Sequence, residues 1–281
     1  MRSRETRTAL IDIINRSGYE IFTPVPLGTP LAARAQRLLA LPEATDRAMG
    51  VYILNLFQEP AGLDAARTAI HDADPDVHLT AVRVLGLIGN DHSASILVDA
   101  LRRGEVAWER VVERFNGPWA LPELIKAIQT PITESTREKH FHARLARALG
   151  LLGDAAAEPH LQRLLGEGNV EERINVVRAL GQCGTHESLA LIQDLLRNDE
   201  SPHVRAQAAT ALIPLPDRSS VPILVQSMFD SSWWVCSNSA RALGSLGLRG
   251  KRALEEVRER APGTLAGRRA SEQLSILEVT A

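Results

Sequence analysis

Five short segments of the chain repeat one another: Val82-Arg83-Val84-Leu85-Gly86, Ala146-Arg147-Ala148-Leu149-Gly150, Val177-Arg178-Ala179-Leu180-Gly181, Ala209-Thr210-Ala211-Leu212-Ile213 and Ala240-Arg241-Ala242-Leu243-Gly244. Their leucines recur every 31 to 32 residues, with only the first interval doubled. At the midpoint of that interval lies Arg114-Phe115-Asn116-Gly117, and one period before Leu85 lies Leu54. Seven units follow, centred on Leu54, Leu85, Phe115, Leu149, Leu180, Leu212 and Leu243. A period of this length identifies one supersecondary unit that cannot bury its own apolar stripe, so neighbours must stack to make a continuous core.

Each unit reads as two helices. The first begins at a turn such as Asp74-Pro75 or Ser201-Pro202, where a capping side chain precedes a proline that fits the first turn. It ends at glycine, as in Leu87-Ile88-Gly89 or Gln182-Cys183-Gly184, where a left-handed closing residue costs little. The second helix is apolar at helical spacing, as in Leu189-Ala190-Leu191-Ile192-Gln193-Asp194-Leu195-Leu196. No stretch alternates like a strand, so no sheet is expected. The third unit, Glu105 to Thr133, carries Trp108, Pro118 and Trp119 and is the most degenerate, which predicts an irregular turn of the stack. The long gap before Leu149 maps to a loop-like segment, residues 129–136.

Residues 1–42 read as an N-terminal helical cap with a Pro-rich connector, Thr23 to Pro30, leading to a helix over Leu31 to Leu41. Residues 43–261 form the repeat array, and residues 262–281 a C-terminal capping helix from about Leu265 to Leu277. The expected fold class is therefore all-α, a right-handed α-solenoid of about seven helix pairs between two caps.

Composition narrows the function classes. Hydrophobic residues make up 44% of the 281, ample for a core, and Lys and Arg (32) nearly balance Asp and Glu (34). The net charge of −2 removes the global attraction on which most nucleic-acid binders depend. Two cysteines, Cys183 and Cys236, fall in different units and suit a reducing compartment, so a cytoplasmic location is expected. The longest apolar runs fall short of the roughly 18 to 20 residues that cross a membrane.

The pattern DPxV(R)xxAAxALGxxG, followed by a short amphipathic helix, resembles the HEAT-like repeats named after phycobilisome lyases over residues 43–261. Such repeats serve scaffolds, lyase subunits and enzymes alike, so the resemblance implies the fold more than the activity. The usual Arg after the Val is held by Arg47, Arg173 and Arg205 and replaced by His78, Trp108, His142 and Cys236. A narrower likeness covers the last 50 or so residues. The run Trp233-Trp234-Val235-Cys236-Ser237-Asn238-Ser239-Ala240-Arg241-Ala242-Leu243 is similar to the end of bacterial HEAT-repeat proteins with WWVRxNAAxAL, a group that often carries an N-terminal membrane anchor and is encoded beside family 2 glycosyltransferases. It implies a role near an envelope-polysaccharide system, with this chain either a soluble relative without the anchor or part of a longer, membrane-tethered form.

At about 100° per residue, the positions 9, 5 and 2 before each unit's leucine and 2 after it fall on the face opposite that leucine. By resemblance to HEAT stacks this face lines the concave surface. Its arginines, Arg83, Arg110, Arg144, Arg147, Arg178 and Arg241, outnumber Asp76, Glu113 and Glu171 by three. With Asn175, Gln207, Trp234 and Asn238 they are the expected partner-binding residues, suited to an acidic or anionic protein surface because guanidinium forks pair bidentately with carboxylates and phosphates. The same arginines also fit a plain solvated helix face. Trp234 shares a column with Asn238 and Arg241 and reads as an interface anchor, whereas Trp233 points toward the next unit and reads as packing.

Catalytic chemistry is not evident. The eight histidines are scattered, and His140 and His142 point to different helix faces. The aspartates Asp72, Asp74 and Asp76 begin like a calcium loop, but Val77 and Arg83 occupy places that need Gly and Glu. Resemblance to iron-dependent HEAT hydroxylases would require several His-Glu pairs, and only His186-Glu187 occurs. No phosphate-binding glycine loop and no GxSxG elbow exists. No metal, cofactor or catalytic residue is therefore expected, and the leading reading is a non-enzymatic adaptor. A bilin lyase-like subunit using Cys236 and His142, and a nucleic-acid binder using the Arg face, stand as alternatives.

Overall fold

A computed structural model describes residues 30–55, 60–133 and 140–280. The first part of the expected N-terminal cap, residues 1–29, with all but the last residue of the Pro-rich connector, lies outside the described residues. Those described form sixteen α-helices and no strand: α1 Pro30–Leu38, α2 Ala44–Asn55, α3 Ala61–Ala69, α4 Pro75–Ile88, α5 Asp91–Arg102, α6 Trp108–Val111, α7 Leu121–Gln129, α8 Phe141–Leu152, α9 Glu158–Glu167, α10 Val170–Cys183, α11 His186–Asn198, α12 Pro202–Ala211, α13 Ser220–Ser227, α14 Trp233–Gly244, α15 Gly247–Arg260 and α16 Leu265–Thr280. From α2 onward these are seven pairs, with α1 before them and α16 after, as the leucine period requires. The chain divides into two compact units, Met1–Leu97 and Val98–Ala281.

In the first unit α2 packs on α1, α3 and α4. Small side chains make the α1 contact close: Ala32, Ala35, Leu54 and Ala65 form one buried cluster. In the second unit the first helices of successive pairs, α8, α10, α12 and α14, lie side by side and end on α16. Their partners α7, α9, α11, α13 and α15 include the neighbouring pairs α7–α9, α11–α13 and α13–α15 and make the other layer. The unit leucines Leu149, Leu180, Leu212 and Leu243 are at most 1% exposed, so the residue that defines the period also defines the core.

The ends of the helices follow local chemistry. Asp74 caps α4 by accepting from the Asp76 and Val77 N–H groups, with Pro75 following. Asn169 and Glu172 form a reciprocal capping box on α10. Gly153 and Gly184 close α8 and α10 at φ 65° and 72°, the left-handed region that glycine enters without penalty. Ser201 departs from expectation: it stands before Pro202 but makes no side-chain cap, and Asp199 Oδ1 instead takes the Ser201 N–H at 2.8 Å. The degenerate third unit is irregular as expected. Its first helix lasts four residues, passes into a 3-10 turn over Val112–Arg114 and stops at the fully buried Phe115.

A bidentate arginine recurs between units. Arg173 in α10 reaches Asp199 in the turn before α12, and Arg205 in α12 reaches Asp230 before α14, with N–O distances of 3.1 and 2.8 Å. Arg47 does the same to Asp72 within the first unit at 2.7 Å. Each Asp also accepts the N–H two residues on, so one carboxylate shapes the turn and anchors the preceding unit. The second layer has its own tie: buried Glu158 of α9 accepts the hydroxyls of Thr185 and Ser188 at the start of α11.

Candidate anion-binding face

Eight of the ten expected partner-binding residues lie on the first-helix row of the second unit: Arg144 and Arg147 on α8, Asn175 and Arg178 on α10, Gln207 on α12, and Trp234, Asn238 and Arg241 on α14. Arg110 is exposed on the four-residue α6 of the same unit, and Arg83 is exposed in the first unit. The face expected in the first unit is otherwise different. Met49, Tyr52 and Thr80, at the positions that should point outward, are 6 to 9% exposed, so that helix face is packed and Arg83 is its one exposed arginine position.

The row is cross-linked by its own polar side chains. Arg178 donates through Nη1 to Asn175 Oδ1 at 3.2 Å and through Nη2 to Gln207 Oε1 at 3.3 Å on the neighbouring helix. Asn238 Nδ2 donates to the Ala206 carbonyl at 2.9 Å, and Arg241 Nη2 to Thr210 Oγ1 at 3.3 Å. Asn175, Gln207 and Asn238 therefore orient the row as well as lining it. The acid on the row, Glu171, pairs with His140 at 2.8 Å. Burial, reinforced by Arg147, makes the Arg178 cation less favourable than usual.

Trp234 is 59% and Trp233 42% exposed, with rings edge to face at 4.5 Å. The Arg269 guanidinium of α16 lies 4.7 Å over Trp233. Trp233 does contact the neighbouring element, but through a cation on its face and with much of its ring in solvent. A shallow cavity of about 530 Å³ beside the broken third unit is lined by Phe115, Pro118, Leu121 and Leu151, with Glu113 and Asp154 among its lining residues. Leu151 is 55% exposed one helical turn beyond Arg147.

The two thiols are poor nucleophiles. Cys236 is fully buried, and burial pushes its thiol above the ordinary range. At Cys183, burial together with Glu158 and Asp154 pushes the thiol up to about 11. Labelling of Cys183 by a maleimide at pH 8 should run about two orders of magnitude slower in the native protein than in urea. Equal rates would show a thiol of ordinary acidity, and a faster rate in the native protein an activated one. Among the described residues, no group of three or more His, Cys, Asp or Glu is placed to hold a metal ion. No described helix is long and apolar enough to cross a membrane.

The HEAT-repeat sequence family matches residues 31–114, 121–213 and 191–276. The chain belongs to the HEAT-repeat family. No match is found among curated proteins. Among solved structures, YibA of Escherichia coli aligns with TM-score 0.46 at 19% identity, over 86% of this chain and 92% of its own. The complex of CpcE and CpcF of phycocyanin lyase from Nostoc sp. PCC7120 aligns with TM-score 0.34 at 19% identity, over 91% and 98%. A designed armadillo repeat protein aligns with TM-score 0.37 at 17% identity, over 75% and 98%. The family match and the helix pairs make the chain a HEAT-type α-solenoid, a fold that generally serves as a protein-interaction scaffold.

Proposed function

We propose that this HEAT-repeat protein is a non-enzymatic adaptor that holds an acidic protein surface on the α8–α10–α12–α14 face. The observation that carries the reading is the charge of that face: Arg144, Arg147, Arg178 and Arg241 stand on it against the acid Glu171. On a chain of net charge −2, such a local excess steers and registers an anionic partner. Trp234, the most exposed of the row's aromatic side chains, supplies the apolar anchor that interfaces of this kind concentrate near charged groups. The buried Cys236 and the raised thiol of Cys183 disfavour a lyase-type nucleophile. The WWVCSNSARAL run supports, by sequence likeness alone, a partner in an envelope-polysaccharide or glycosyltransferase system.

Affinity capture from the native host tests this. Arg147→Glu and Trp234→Ala should each reduce recovery of the specific partner at least tenfold and leave the melting temperature within about 2 °C of the parent, since both side chains are exposed. Undiminished capture by both variants would remove the reading. Strongly salt-dependent retention on DNA, abolished by Arg147→Glu, would replace it with nucleic-acid binding.

A further inference from the structure

The face is not uniform, and one place on it is built differently from the rest. Arg147 and Arg178 stand at the same position of consecutive units, on the adjacent helices α8 and α10, close enough for each charge to bear on the other. Among the described residues neither guanidinium has a carboxylate partner. Their surroundings are amides instead. Asn175 and Gln207 hold the half-buried Arg178 fork from two sides. Gln182, one turn further along α10, lays its Oε1 over Gly150, three residues beyond Arg147, so near that an added Cβ there would sit 2.5 Å from it.

Two like charges brought together without a counter-charge are an unfavourable arrangement, and each neutral amide accepts a hydrogen bond without cancelling any charge. A guanidinium has five N–H donors. Among the described residues two of those on Arg178 are used, which leaves three, and the exposed Arg147 uses none of its own. The two forks thus offer two positive charges and many donors at matching positions of contacting helices. A single carboxylate supplies one negative charge and is matched by one fork. A phosphoryl group supplies close to two charges and three oxygens, which matches two forks.

We infer that Arg147 and Arg178, steadied by Asn175 and Gln207, form a seat for a phosphoryl dianion, either free phosphate or a phosphorylated side chain on a partner. This rests on the reading of the α8–α14 face as anion-binding and names the group that the face recognises. Arg178, braced by the two amides, is the fixed half, and the exposed Arg147 supplies the second fork.

Titration of inorganic phosphate into ¹⁵N-labelled protein at pH 7.5 and constant ionic strength tests the seat, read on the arginine Nε–Hε resonances. Saturable shifts of Arg147 and Arg178 are expected. Arg147→Gln and Arg178→Gln should each weaken binding at least tenfold, and Arg197→Gln, an exposed arginine of the other layer, should change it less than twofold. Matched peptides with serine or phosphoserine separate the sources. Binding of the phosphoserine peptide as tight as free phosphate, and none of the serine peptide, identifies a phosphorylated partner; binding of free phosphate alone identifies the small anion. No shift of either resonance with phosphate or phosphopeptide, or equal weakening by Arg197→Gln, overturns the seat. If partner capture still depends on Arg147 and Trp234 when phosphate fails, the adaptor reading survives without it.

Discussion

Gly250→Ala is expected to destabilise the second unit by at least about 3 kcal/mol and to lower its melting temperature by roughly 6 to 12 °C. Gly250 lies in the first turn of α15, where that helix folds back against the end of α14. A Cβ there would stand 1.7 Å from the Leu243 carbonyl oxygen and 2.7 Å from its carbon. The obstruction is backbone, so no rotamer change can relieve it, and the α14–α15 pair must open. Gly166→Ala is the matching control. It sits near the end of α9 with nothing within 4 Å of the added atom, and alanine's higher helix propensity should make it neutral or stabilising by up to about 1 kcal/mol. Urea unfolding of the two variants separates them; a Gly250→Ala protein within about 1 kcal/mol of the parent would show that α15 does not pack this closely.

That contrast marks where reading the sequence stops. The leucine period, the helix pairs, the closing glycines Gly89 and Gly184 and the disturbed third unit are all local or periodic properties, and all are legible in the sequence. The glycines of the repeated segment itself have a use that the period does not reveal. Gly150 and Gly181 precede the helix ends and admit the next unit: added methyl groups would meet the Ala179 Cα at 2.7 Å and the Ala211 oxygen at 2.9 Å. Each contact joins residues about 30 apart, and nothing in the local pattern distinguishes a packing glycine from a terminating one. The exposed ladder fails in the first unit for a related reason. A helical angle gives the direction of Met49, Tyr52 and Thr80 but not what covers them, and all three are buried. In the second unit the same angles hold for Arg147, Trp234 and Arg241, which are exposed. There the missing information was the role of the amides. Asn175 and Gln207 have the right spacing for a face, but only the fold reveals that they brace Arg178.

The inter-unit arginines give the second large effect. Arg205 donates Nε and Nη2 to both oxygens of Asp230, at 2.8 and 3.1 Å, and Nη1 to the carbonyls of Asp199 and Glu200. Arg205→Ala should therefore cost about 2 to 3 kcal/mol at neutral pH, because it strands a largely buried carboxylate and two carbonyls together. Arg205→Lys should recover only part of the loss, since one ammonium cannot span both oxygens. Burial alone would raise the pKa of Asp230, but Arg205 and the Ser232 N–H outweigh it and hold the carboxyl below its ordinary range. The contribution is therefore complete above about pH 4, the ordinary carboxylate value, and disappears as the pH falls through the lower folded-state value. The stability gap between parent and Arg205→Ala should shrink accordingly in acid; a gap unchanged from pH 7 to pH 3 would mean that Arg205 acts by packing rather than through the ion pair. The next period tests the logic within the sequence itself. Thirty-one residues on, Cys236 takes the place of Arg205 and Ala261 the place of Asp230. Both charges vanish together, and the cysteine that fills the slot is fully buried. Its presence there follows from the lost partner: a lone arginine in that slot would be a buried charge with no carboxylate to meet, and a small apolar thiol avoids that cost.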